Sequence, residues 1–456
     1  MTAFVGARRA LGVAHALAAA FGCALVTSPA AASPELDFGF GARSQALAGS
    51  GVALADDAAA VFQNPAGLAR AQGVELSFSY AFVNYALAAN GAPSGLPNVN
   101  AFEGGLVVPG SIRGVPVAFG FSMALPDGRL SRLHQADPSE PYWPLDDAGP
   151  RLVDVGTGFA ARPLRQLTLG AGVGFVASLN GDFGVYGNAV AADGNGSEYA
   201  SNLRHSVDAD LTASRFLLVG IGFLPNDDLS IGLAYRGAAV VEHRIQAALT
   251  GTLQIQDSVV PVRYRYESRS DVAYVPASLT LGASYVIRHV WLVTGELAYE
   301  RYEPFASPYA ETSSSVTLPP SVGLVIPGTK PVPAPPARFH DRFVPRFGVE
   351  PRFTLKRALE LRLRAGYAYE RSPVPEQQVG TRFFDVDRHV VSAGAGVAWS
   401  SPVQPFSALR LDLSLADAVG VPRTASTTAG PNADHASGHV LLLGTTLTLV
   451  FGGAED

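Results

Sequence analysis

One cysteine, Cys23, stands in the whole 456-residue sequence, so no internal disulfide forms and thiol chemistry has a single candidate. Lysine is almost as scarce: Lys330 and Lys356 are the only two, and arginine carries nearly all of the positive charge. That charge is outnumbered. The chain has 33 basic against 39 acidic side chains, a net −6, which argues against a nucleic-acid partner. No stretch after Val26 supplies the roughly 20 apolar residues that a membrane-crossing helix needs. The length would accommodate two or three soluble domains, yet no linker divides it.

What is present begins with an export signal over residues 1–32. Arg8 and Arg9 form a basic start, Ala10 to Val26 an apolar core broken only by His15, and Ala30 and Ala32 a small-residue cleavage site before Ser33. Ala20-Phe21-Gly22 is a poor lead-in to a lipid-modified Cys23, so that residue is expected to leave with the signal. Losing Arg8 and Arg9 takes the net charge from −6 to −8.

From Val74 onward the dominant signal is alternation. In Leu359 to Arg371 one face carries Leu359, Leu361, Leu363, Ala365, Tyr367 and Tyr369, the other Glu360, Arg362, Arg364, Gly366, Ala368 and Glu370. Leu409 to Leu415 sets four leucines against Arg410, Asp412 and Ser414, and Trp291 to Tyr302 repeats the scheme. Period two with one greasy face is a half-buried strand. A soluble antiparallel sandwich would also alternate. Against it stand candidate strands longer than the usual ~5–6 residues and aromatics near strand ends, such as Tyr80, Trp291, Tyr367, Trp399 and Phe451. The spacing predicts 14 strands, at about 74–84, 101–108, 115–125, 152–161, 167–179, 204–223, 229–239, 272–287, 290–302, 342–354, 359–371, 388–400, 407–415 and 438–451. Connections alternate between short (109–114, 162–166, 224–228, 288–289, 355–358, 401–406) and long. Short periplasmic turns and long outer loops describe an outer-membrane barrel, here over residues 74–456. Closure also removes sheet edges that lipid does not solvate. Within the long connections, 240–271 still alternates and is expected to continue two strands as a hairpin, while the Pro-rich 303–341 is expected to be extended.

Residues 33–73 do not alternate. Eight strands already leave only side-chain room inside a barrel, so fourteen enclose space that this Ala- and Gly-rich segment is suited to plug. Small residues let short helical turns pack closely, and Asn64-Pro65 forces a turn. Asp56 and Asp57 are expected to meet inward-facing Arg362, Arg364 or Arg410.

The segment ARSQALAGSGVALADDAAAVFQNPAGLA (42–69) resembles the N-terminal hatch of the FadL/TodX outer-membrane transporters. DRFVPRFGVEPRF (341–353), LRLRAGYAYERSPVP (361–375) and DVDRHVVSAGAGVAW (385–399) resemble that family's late strands. The resemblance spans nearly the whole mature chain and implies passive uptake of hydrophobic molecules, long-chain fatty acids or aromatic hydrocarbons. It places ligand contacts at Asn64, Pro65, Ala66 and the segment Ser33 to Phe40, with Phe38 and Phe40 as its rings. It further implies a sideways exit beside an inward-kinked third strand, for which Gly114, Pro116 and Gly120 are suitable residues. The expected partners are the hydrophobic ligand, outer-membrane lipid and lipopolysaccharide, and the barrel-assembly machinery; the chain is expected to be a monomer. One departure is the end, where Phe451 is followed by Gly-Gly-Ala-Glu-Asp rather than closing the chain on an aromatic residue.

No catalytic constellation, cofactor motif or metal motif is found. Gly170-Ala-Gly172-Val-Gly174 imitates a nucleotide loop but sits within a strand pattern, where small lumen residues serve packing. The loop Asp193 to Glu198 lacks the spacing of a calcium loop. His389 and His439 open strands singly, without metal-ligand spacing. A membrane lipase would need Ser and His on neighbouring strands, and no motif ties such a pair. The remaining alternatives are an adhesin or scaffold with long binding loops, and a general porin for polar solutes. The plug argues against both.

Overall fold

The computed structural model describes residues 38–127, 136–147, 153–188, 202–255, 258–320, 333–356, 358–377, 381–425 and 434–452. The expected export signal and the loop at Asp193 lie outside the described residues. Alternation becomes a wall. In Trp291–Arg301, Trp291, Val293 and Leu297 face outward and are exposed, while Thr294, Glu296, Ala298 and Glu300 are buried inward. Leu279, Leu281, Phe343, Phe347, Leu363, Val391 and Leu413 join the same outer surface. In water such a patch would be a liability; in a bilayer it is the lipid-facing belt.

Fourteen strands form that wall: β1 (Val74–Ala89), β2 (Val99–Ile112), β3 (Val115–Pro126), β4 (Asp154–Leu164), β5 (Leu167–Asn188), β6 (Asn202–Phe223) and β7 (Leu229–Arg236), then β8 (Ala277–Ile287), β9 (Trp291–Arg301), β10 (Arg342–Lys356), β11 (Leu359–Glu370), β12 (Arg388–Val403), β13 (Phe406–Gly420) and β14 (Asp434–Phe451). Each pairs antiparallel with the next. The barrel closes where β14 returns to β1, from Val74 opposite Phe451 to Ala89 opposite Ala436. Phe451 thus takes part in closure, its ring 5.0 Å from that of Phe406.

The alternating hairpin of 240–271 is present as Ala239–Ile255 against Ser258–Val275. It pairs in parallel with Gly181–Tyr186 of β5, and Glu311–Thr317 adds a further strand. The expected strands 229–239 and 272–287 are shorter because the wall breaks on each side of this hairpin. Gly237 turns its N–H back to the Leu217 carbonyl, and Pro276 has no N–H to give. The long loops close over the outer mouth as a cap. Tyr274 stacks on Phe305 at 5.3 Å, Phe305 meets Phe339 at 5.1 Å, and Tyr309 stacks on Phe383 at 4.8 Å. Arg388 grips Asp146 through two hydrogen bonds (2.9 and 2.6 Å) and Asp385 through one (3.0 Å). Burial raises the Asp385 carboxyl above its ordinary pKa, with Arg388 opposing that rise.

Candidate functional site

The segment before β1 lies inside the barrel as short pieces: α1 (Gly41–Gln45), α2 (Ala60–Gln63) and a 3-10 turn over Pro65–Arg70. None is long enough to be stable alone. Their stability comes from the wall. Asn64 is extended and caps the turn by accepting from the Ala66 N–H at 3.2 Å, with Pro65 in the first turn position, where a missing N–H costs nothing. Its amide donates to the Val52 carbonyl at 2.7 Å and the Ile221 carbonyl of β6 at 3.2 Å. Asn64-Pro65-Ala66 is therefore a clasp between two parts of the plug and the wall. A Cβ on Gly170 would stand 2.3 Å from the Ala66 nitrogen, so the glycine run of β5 is where the clasp seats.

The electrostatic grip differs from the expected one. Asp56 pairs within the plug, with Arg43 at 2.9 Å. Asp57 caps the Ala59 N–H at 2.9 Å. The wall arginines are engaged by wall carboxylates: Arg364 with Glu350 (2.7 Å) and Asp412 (2.6 Å), Arg410 with Glu75 (2.7 Å), Arg362 with Glu360 (2.5 Å). Asp57, Arg43, Arg362, Arg410 and Asp412 share a small cavity of about 30 Å³. They are gathered without direct pairing of Asp57 to the wall. The wall instead presents acceptors to the plug. Glu103 accepts from the Gly41 N–H at 2.7 Å, Glu296 from Gly51 and Val52 at 3.0 and 3.2 Å, and Glu350 from Arg43 at 3.3 Å. For the backbone donors the physical reason is that short turns leave their first N–H groups without internal partners and carry positive partial charge there; Glu350 instead meets the Arg43 guanidinium. Glu103, Glu296, Glu350 and Arg43 escaped the sequence reading. The signal of the three glutamates was a carboxylate on the inward face of a strand: Glu103 on β2, Glu296 beside Glu300 on β9, and Glu350 on β10.

The third strand is not interrupted. β3 pairs with β2 from Ile112 opposite Val115 to Ala101 opposite Pro126 without a register shift, and with β4 over Val117–Ala124. Gly114 belongs to the turn before it, at φ +80°. Pro116 lies opposite Ser111. Gly120 makes room for the plug, since a Cβ there would stand 2.6 Å from Leu68. The expected kink is absent because these residues serve a turn and a close approach, and neither demands a break in the ladder.

A cavity of about 90 Å³ lies between plug and wall on the opposite side. Phe40, Val52, Phe62 and Pro65 line it from the plug, and Phe216, Leu218, Ala234 and Ala298 from the wall. Phe40 and Phe62 contact each other with centroids 5.8 Å apart. Phe38 points elsewhere, into a buried cluster with Trp143 and Phe384 of the cap. The two rings of the N-terminal segment therefore separate, one to the cavity and one to the outer lid. Charged residues ring the cavity: Asp154, Arg236, Glu296, Glu300 and Arg346. Among the described residues no group of metal-binding side chains exists.

A closed barrel with a lipid-facing belt and an internal plug defines an outer-membrane channel of the plugged type. The model of the outer membrane protein transport protein family (OMPP1/FadL/TodX) matches residues 23–420. The chain belongs to that family, and is an outer-membrane channel for hydrophobic compounds of a Gram-negative bacterium, not an enzyme. Three solved structures share the fold at low identity. A Pseudomonas aeruginosa FadL homologue is 16% identical with TM-score 0.52, over 90% of this chain and 97% of that one. The P. putida toluene transporter TodX is 16% identical with TM-score 0.53, over 92% and 100%. The CymD monoaromatic hydrocarbon channel is 15% identical with TM-score 0.53, over 91% and 98%. No curated protein matches the chain significantly.

Proposed function

We propose that the chain carries hydrophobic molecules, long-chain fatty acids in particular, down their gradient through the seam between the hatch and the wall. The observation that carries this reading is the cavity itself, walled by Phe40, Phe62, Pro65, Phe216 and Leu218 at the point where the Asn64 clasp seats. Each CH₂ moved from water into such surroundings contributes ~0.8 kcal/mol, enough over an acyl chain to draw it from a micelle. The clasp forms the floor, so passage proceeds by displacement of the hatch and not by a break in β3. Uptake of labelled oleate and of toluene is compared in cells carrying no channel, the wild type, or Asn64→Ala/Pro65→Ala at equal surface abundance. Wild type raises uptake of at least one apolar ligand, and the double variant changes that rate severalfold. Free passage of sugars with no gain for either apolar ligand would support the porin alternative.

A further inference from the structure

The six short turns at the periplasmic rim carry Arg113, Arg162, Arg165, Arg288, Lys356 and Arg357 against only Asp227 and Asp228. That balance is the reverse of the chain as a whole, which is net −6. Arg162 has a local task, since its Nε donates to the Arg165 carbonyl at 3.0 Å. Arg113, Arg165, Arg288 and Lys356 are exposed, and among the described residues none of them meets a carboxylate. The lumen arginines behave otherwise, with Arg346, Arg364 and Arg410 each holding a glutamate. Each of the four exposed cations directly follows an apolar residue that is itself exposed: Ile112 (56%), Leu164 (61%), Ile287 (42%) and Leu355 (55%). Two of the cations also stand where the backbone does not favour them. Arg113 and Arg288 have φ of +53° and +52°, a left-handed conformation for which Asn or Gly is the usual turn residue. Turn geometry therefore does not select arginine at these places.

We propose that the periplasmic rim is a binding surface for anionic phospholipid of the inner leaflet, with one head group at each apolar–cation pair. The apolar side chain enters the acyl region while the neighbouring cation stays at the polar boundary, the arrangement that holds a polypeptide to an anionic lipid surface. The guanidinium forks of Arg113, Arg165 and Arg288 suit a phosphodiester, and Lys356 meets it as a point charge. The surface is not uniform around the barrel. The pairs stand at the β2–β3, β4–β5, β8–β9 and β10–β11 turns. Between them the β6–β7 turn carries Asp227 and Asp228, and Asp228 lies 3.7 Å from His289. The β12–β13 turn has no charged residue. Bound anionic lipid therefore gathers on two arcs separated by an acidic turn. The inference stands apart from what the channel carries.

The intact channel reports on this surface through its own tryptophans. Trp291 is exposed three residues beyond Arg288, and Trp399 lies opposite Leu359 at the same rim, whereas Trp143 is buried in the cap. The channel is placed in nanodiscs of phosphatidylethanolamine with a minor fraction of brominated phosphatidylglycerol or, separately, of brominated phosphatidylethanolamine. Tryptophan quenching is compared at equal fraction. Phosphatidylglycerol is expected to be preferred by roughly fivefold, the scale of one cation at an anionic surface, and the preference should fall as salt is raised. Arg113→Asn, Arg165→Gln, Arg288→Asn and Lys356→Gln together should abolish it, with asparagine suited to the two left-handed positions. Heat modifiability shows that this variant still forms the barrel. Equal quenching by the two lipids in the wild type overturns the proposal without needing a variant, and points to a soluble acidic partner for the rim instead. A preference that survives the four substitutions, or one indifferent to salt, overturns it as well.

Discussion

Between Gly41 and Arg70 the hatch carries a single aromatic ring, Phe62, whereas the outer cap is built around Tyr274, Tyr302, Phe305, Tyr309, Phe339 and Phe383. The hatch lies inside the barrel, and the cap closes over its outer mouth. The hatch offers alanine, glycine and backbone N–H groups to a lumen face rich in glutamate and arginine, so its position is set by directional bonds: the Gly41 N–H to Glu103, the Gly51 and Val52 N–H groups to Glu296, and the Asn64 amide to the Ile221 carbonyl. The cap faces water on one side and is held mainly by buried aromatic area, with one buried ion cluster at Arg388. Directional bonds define one seat and are lost together. Apolar contact tolerates sliding, which suits loops that must let a ligand past.

That contrast is broken most severely at Glu350, which is fully buried and meets Arg43, Arg352 and Arg364 at 3.3, 2.8 and 2.7 Å. Glu350→Ala leaves three guanidinium groups short of their shared acceptor and is expected to cost about 3–5 kcal/mol. The loss is read as a lowered urea midpoint of the heat-modifiable folded band; an unchanged midpoint would mean that the ion cluster does not hold the hatch. In the cap, Phe383→Ala removes the ring stacked on Tyr309 and set against Phe339 at 5.5 Å. A truncation of that size costs about 3–5 kcal/mol, here confined to the loops. Hydrogen exchange should quicken in residues 301–317 and 381–387 with the barrel midpoint unmoved, and a global shift would show that cap and wall unfold as one.

Outer and inner faces of β11 sharpen the comparison further. Leu363 is exposed to lipid near the middle of the strand, and Leu363→Arg is expected to cost ~2–4 kcal/mol. Leu361, two residues from the periplasmic start of β11, is expected to tolerate arginine at ~0–1 kcal/mol. Arg362→Leu on the lumen side, where the partner is the half-exposed Glu360, is expected to fold with little loss. Equal penalties at positions 362 and 363 would overturn the face assignment. A smaller effect than that at Leu363 is expected at the clasp. Asn64→Ala removes the cap of the 3-10 turn and costs about 0.5–2 kcal/mol, visible less in the midpoint than in ligand uptake. An uptake rate identical to wild type would leave Asn64 a purely structural cap.

How much of this was legible beforehand follows from what each feature depends on. Leu359 to Arg371 could be assigned to two faces because side-chain direction in a strand is set by neighbours one and two residues away. Fourteen such segments with alternating connections then fix closure and sidedness. The helical plug was legible for the same local reason, as an Ala- and Gly-rich stretch without period two. What the plug touches was not. Arg43 and Glu350 are 307 residues apart, and nothing in their surroundings marks them as partners; proximity of Asp56 to Arg43 along the chain competed with the wall arginines and prevailed. Gly114, Pro116 and Gly120 were consistent with a kink and with an ordinary turn and contact, and only the unbroken pairing of β3 decides between them. The cavity likewise arises where hatch, β6, β7 and β9 converge. Local periodicity therefore determined the barrel, its faces and its plug, while the ion pairs, the cavity and the course of the third strand were decided by tertiary closure, because each depends on which distant segments the closed wall brings together.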